Sequence, residues 1–154
     1  MRRSRRRVGA TAVGICLALV IGLGASARES TEELPALLLG VVRLAGSDLA
    51  LSAEQAAQIL PEVQAWRSWV EEVSNVDDEP GRVAAIRAML TPEQAAAIDA
   101  MNLTSTDAIR WSSGALAAIV WRHSVQAGAP LPPGPLAVFA GRVVRLLSGW
   151  AVAG

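Results

Sequence analysis

His123 is the single histidine and Cys16 the single cysteine, so any Cys–His or Ser–His nucleophile must be built on His123. It stands in Trp121-Arg122-His123, near the end of a helical segment. There it would act as a pH-sensing or catalytic imidazole, or simply sit at a helix C-terminus, where positive charge is favoured. No constellation of partners points at it, and the second role is the expectation. Glu71, Glu72, Asp77, Asp78 and Glu79 form an acidic cluster of the kind Ca²⁺ prefers. The cluster lacks the alternating ligands and central glycine of an EF-hand loop, so a solvated helix end is expected. One Cys and one His also exclude a disulfide framework or a Cys/His zinc site within the chain. No glycine-rich phosphate loop occurs. Asn102-Leu103-Thr104 has the form of a glycosylation acceptor, relevant only in a host with that machinery. The chain is therefore expected to be no enzyme, with no catalytic residue, no metal ligand and no cofactor.

The five tryptophans carry more information. Trp66 and Trp69 are three apart, on one face of a helix. Trp111 and Trp121 are ten apart, offset by about 80° at helical pitch. Trp150 lies near the end. Each either fills the core or forms an aromatic surface for a client, a peptide or a membrane. Trp66, Trp69, Trp111 and Trp121 are the candidate protein-contact residues. Leu136, Phe139, Ala140, Val143, Leu146, Leu147 and Trp150 share a face of the last helix, with Arg142 and Arg145 elsewhere. That face would pack on a neighbour such as residues 32–44, or lie on an anionic membrane with arginine outside and Trp150 at the interface. Packing is the preferred reading. Phe139, Arg142, Val143, Arg145, Leu146 and Trp150 are the residues that would carry either role.

These side chains are positioned by helices behind an export-type leader. Residues 1–7 hold five arginines, residues 8–24 carry no charge, and Ala25-Ser26-Ala27 ends the segment with small residues at the sites a signal peptidase reads. This is the three-part form of a secretory signal over 1–27. An uncleaved anchor is the alternative, at the short limit for spanning about 30 Å of hydrocarbon. Ile15 before Cys16 argues against lipidation. The 154-residue chain has 14 Lys+Arg, all of them Arg, against 14 Asp+Glu. If cleavage follows Ala27, five arginines leave with the signal and nine face 14 carboxylates, a net charge near −5. The remainder has no thiol and no basic patch, which excludes thiol chemistry and argues against nucleic acid.

The rest reads as all-α, a compact bundle of five to six short helices. A helical domain occupies 28–127, a Pro/Gly-rich connector 128–135 and an amphipathic helix 136–154. Pro61 is expected to kink or break the helical stretch from Ser52 to about Val73. Thr106 is expected to cap a longer helix reaching about Val125.

Leu51-Ser52-Ala53-Glu54-Gln55-Ala56-Ala57-Gln58-Ile59-Leu60 recurs 39 residues later as Leu90-Thr91-Pro92-Glu93-Gln94-Ala95-Ala96-Ala97-Ile98-Asp99, with six identical positions. Ser52 and Thr91 read as helix N-caps, and Gln55 and Gln94 at N3 can reach back to the cap N–H. Glu54 and Glu93 face the positive helix end, and Pro92 wastes no donor.

The paired pattern of Leu51, Ser52 and Gln55 with Leu90, Thr91 and Gln94 resembles the LTxxQ-motif proteins, the Spy/CpxP-type periplasmic stress proteins. The resemblance implies a small exported helical protein acting as an ATP-independent chaperone or an inhibitory sensor of envelope stress. Its partners would be unfolded clients or an envelope sensor, with homodimerisation and membrane-surface association as further options. Residues 39–44 and 49–55 are also similar to small secreted proteins of Gram-positive and related bacteria, a likeness that names no activity. The alternative is a structural protein on the outer face of the cytoplasmic membrane, held by its last helix or an uncleaved signal.

Overall fold

The computed structural model describes residues 33–72, 79–128 and 133–153, and among them every regular element is an α-helix. The expected signal at 1–27 lies outside the described residues, as do Asp77 and Asp78 of the acidic cluster. Seven helices are present among the described residues where five or six were expected: α1 over residues 33–44, α2 Ala53–Glu72, α3 Glu79–Met89, α4 Pro92–Ala100, α5 Ser105–Ser113, α6 Ala115–Ala127 and α7 Pro133–Val152.

The count rises because the stretch expected to run from Thr106 to about Val125 is two helices. Gly114 divides it at φ +88°, a left-handed conformation that side chains disfavour. Nor is Thr106 the cap. Thr104 is, in a capping box with Asp107: the Asp107 N–H donates to Thr104 Oγ1 (3.3 Å) and the Thr104 N–H to Asp107 Oδ2 (3.1 Å). Pro61 does not end its helix, and α2 runs through it. The proline is exposed, so water can reach the carbonyl that its missing N–H leaves unpaired. The expected connector is shorter than 128–135, since α7 already starts at Pro133. Proline in a first turn costs no hydrogen bond.

The core follows helical spacing. α2 buries Ala56, Ile59, Val63, Trp66 and Val70, and α7 buries Leu136, Phe139, Ala140, Val143 and Leu147. Among α2 to α7, these two make the most extensive contact. α1 is buried almost all round, through Leu34, Leu37, Leu38, Leu39, Val41 and Leu44. It meets α4 at Gly40, where a Cβ would fall 2.5 Å from Ile98 Cγ2. Only glycine permits that approach without moving Ile98. Among the described residues, α7 is the one helix long and apolar enough to cross a bilayer (Gly134–Val152). A core helix passes the same test, and this one turns Phe139, Val143 and Leu147 inward.

Candidate functional site

The two motifs meet. Each is first a capping box. The Gln55 N–H donates to Ser52 Oγ (3.1 Å) and the Ser52 N–H to Gln55 Oε1 (3.0 Å). The Gln94 N–H donates to Thr91 Oγ1 (3.2 Å) and the Thr91 N–H to Gln94 Oε1 (2.9 Å). The two glutamine amides then pair with each other. Gln55 Nε2 donates to Gln94 Oε1 (2.8 Å), and Gln94 Nε2 to Gln55 Oε1 (3.2 Å). Each Nε2 also donates to the chain that leads into the opposite motif: Gln55 to the Met89 carbonyl (2.9 Å), Gln94 to the Leu49 carbonyl (3.2 Å). A primary amide has two donors and room for two acceptor bonds. Both amides therefore use their full capacity, although Gln94 is buried. Leu90, beside the second cap, is buried, and Leu51 is half-buried against the core. Sequence spacing suggested two independent helix starts. The 39-residue repeat in fact places two helix N-termini face to face, with no polar atom of either glutamine left over for a ligand.

The tryptophans divide. Trp66 and Trp121 are fully buried, which corrects their assignment as contact residues. The Trp66 ring meets Phe139 edge-on at 6.3 Å, and Trp111 meets Phe139 from α5 at 5.9 Å. Trp121 Nε1 donates to the buried Ser105 Oγ (3.2 Å), fastening α6 to α5. Trp69, Trp111 and Trp150 are half-buried against the core. No shared aromatic face is left for a client. Arg142 stacks on the Trp111 ring at 4.9 Å. Its Nη1 also donates to the Trp111 and Ser112 carbonyls (2.8 and 3.3 Å), at the negative end of α5. This arginine joins α7 to α5. Phe139 and Val143 are buried, Leu146 is half-buried, and Arg145 is exposed with its Nε donating to the Gly141 carbonyl (3.3 Å).

Among the described residues, three of the exposed large apolar side chains lie on α6, with Val138 and Val152 on α7. Leu116 is 81% exposed, Ile119 52% and Val120 56%. These positions are i, i+3 and i+4, one stripe on the face opposite the buried Ala118 and Trp121. The stripe continues into exposed His123, with exposed Arg122 beside it, and α6 contains no carboxylate. Periodicity could not flag this stripe: Ala115–Ala127 carries apolar residues on both faces, so sequence does not say which face is covered.

A cleft of about 340 Å³ is lined by Glu33, Leu37, Arg87, Asp99, Asn102 and Thr104, among others. Its arginine is already engaged, Arg87 pairing with Asp99 (3.0 Å) and Glu33 (3.4 Å). Thr104 is occupied by its capping box, donating from Oγ1 to Asp107 Oδ2 (2.7 Å). That hydrogen bond holds the Asp107 carboxyl below its ordinary range; partial burial opposes it, and the Thr104 N–H, Arg110 and Arg122 assist. Among the described residues no three His, Cys, Asp or Glu side chains converge as metal ligands. No protein-family model matches the chain, and no curated protein or solved structure matches it either.

Proposed function

We propose that this chain is a non-enzymatic exported protein that binds apolar segments of other proteins through α6. The observation carrying this reading is the Leu116–Ile119–Val120 stripe, the one row of large apolar side chains in α6 turned away from the core. Burying it releases water from apolar surface, which needs no cofactor. The stripe offers on the order of 300 Å², against about 800 Å² per partner in a stable interface. It is thus suited to transient capture of clients. A second copy in parallel register fits poorly, because it would bring Arg122 and His123 of both copies together with no carboxylate in either helix to receive them. The complementary occupant is an apolar segment flanked by Asp or Glu.

The paired capping boxes resemble those of the Spy/CpxP-type proteins, and the export-type leader at 1–27 supports a role outside the cytoplasmic membrane. In this account the motifs build the scaffold and α6 makes the contact. The test is a fluorescence-anisotropy titration of the mature chain with labelled apolar peptides flanked by either Glu or Lys. Glu-flanked peptides are expected to bind more tightly, and Leu116→Ser/Ile119→Ser to abolish binding. Equal binding of both peptides by wild type and variant would overturn the proposal.

A further inference from the structure

A second surface, away from α6, has the makings of a ligand site. Where α7 runs along α2, a groove of about 380 Å³ is lined by Arg67, Ala137, Val138, Gly141 and Arg145. Ala137, Gly141 and Arg145 are successive turns of one α7 face, and the first two are small enough to keep the floor low. The Arg67 guanidinium lies over Gly141, its Cζ 3.9 Å from where a Cβ would stand.

Both arginines are tethered by Nε. Arg67 Nε donates to Glu71 Oε1 (2.7 Å), and Arg145 Nε to the Gly141 carbonyl (3.3 Å). Among the described residues no acceptor takes the terminal Nη groups of either side chain. A guanidinium held by Nε keeps its planar Nη edge for a bidentate oxyanion. The Glu71 carboxylate on Arg67 is spent on that tether, and no acidic residue lines the groove itself. Beside the two cations lies an apolar strip of Ala137, Gly141 and Val138, the last half-exposed although it is a large apolar residue. Cationic head and apolar strip together define one ligand chemistry.

We propose that the α2–α7 groove binds an anionic amphiphile by its head and the start of one chain. Its carboxylate or phosphate head lies on Arg67 and Arg145, and its first methylenes lie along Ala137, Val138 and Gly141. Such a head is found on free fatty acids and alkyl phosphates and on phospholipids in a bilayer.

The test uses the full mature chain and three probes: dodecyl phosphate below its micelle concentration, inorganic phosphate, and phosphatidylcholine vesicles with or without phosphatidylglycerol. Calorimetry should show one dodecyl phosphate per chain, with inorganic phosphate at least tenfold weaker. Arg67→Gln/Arg145→Gln should weaken dodecyl phosphate at least tenfold without shifting the melting temperature. Both side chains are substantially exposed, so the fold does not depend on them. Val138→Ser should weaken the amphiphile and leave inorganic phosphate unchanged. Arginine-dependent binding to the anionic vesicles would identify a bilayer source; binding of the monomer alone would identify a free amphiphile. The proposal is overturned if dodecyl phosphate does not bind at millimolar concentration, if the arginine pair is silent, or if inorganic phosphate binds equally well. Variants of Leu116 and Ile119 should leave all these values unchanged, so this site and the α6 reading fail independently.

Discussion

Replacing Gln94 by alanine should damage this protein far more than removing an ordinary N3 glutamine. The side chain is buried, so water takes over only part of its bonds. Truncation removes the acceptor of the Thr91 N–H, both bonds to the Gln55 amide and the donor to the Leu49 carbonyl. The Thr91 N–H lies at an exposed cap and recovers a water. The Leu49 carbonyl and one side of the Gln55 amide recover less well. At about 1–3 kcal/mol for each poorly rehydrated group, the expected loss is about 3 kcal/mol. Gln55→Ala, at a half-buried site, should cost about 1.5 kcal/mol. Ser52→Ala and Thr91→Ala should each cost about 1 kcal/mol, the normal price of a cap. The distinguishing quantity is coupling. Once one amide is gone the other has already lost its partner, so the double variant should be less destabilised than the sum by about 1–2 kcal/mol. Urea unfolding followed by tryptophan emission measures all of these, because Trp66 and Trp121 are buried in the native state. A Gln94→Ala cost below about 1 kcal/mol, or single effects that add within about 0.5 kcal/mol, would refute the paired-amide reasoning.

Ser105→Ala should cost about 1–3 kcal/mol in the same assay, because it strands the buried Trp121 N–H without an acceptor; a neutral result would show that the α5–α6 tie is unimportant. Gly40→Ala should destabilise by about 1–3 kcal/mol, since the new methyl displaces Ile98, and a drop in melting temperature would register it. The hydrogen bond from Thr104 lowers the Asp107 carboxyl from its ordinary value near 3.8, so folding gains stability above that pH and loses it as pH falls through the depressed value. Stability profiles below pH 4 should therefore be flatter for Asp107→Asn than for wild type, and parallel profiles would contradict this. Leu116→Ser and Ile119→Ser should each change stability by no more than about 0.5 kcal/mol, as befits exposed positions; larger losses would mean that α6 is covered.

Much of the helical layout is legible in the residues themselves. Thr91-Pro92-x-Gln94 carries its own start signal, and the spacing of Leu136, Phe139, Val143 and Leu147 identifies an inward face before any neighbour is known. Gly114 was less legible, because a single glycine within an apolar stretch is equally compatible with a continuous helix. The Thr104–Asp107 box was hidden by Thr106, a second plausible cap two residues on. The meeting of Gln55 and Gln94 is a long-range contact, which local capping chemistry neither requires nor forbids. The tryptophans show the same limit: spacing says that Trp66 and Trp69 share a side of α2, but burial of Trp66 depends on Phe139, more than seventy residues away. The α6 stripe is defined by what, among the described residues, does not cover it, and that is a property of the fold alone.

The central claim, capture of client segments by α6, is tested most directly by site-specific photo-crosslinking. A crosslinking residue is placed at Val120 in one sample of the chain and at exposed Ala84 of α3 in another, and each is mixed with a chemically unfolded protein. Stoichiometric adducts are expected from position 120, lost when Leu116 and Ile119 are both serine, and only background from position 84. Equal labelling from both positions, or adducts that survive the serine substitutions, would contradict it.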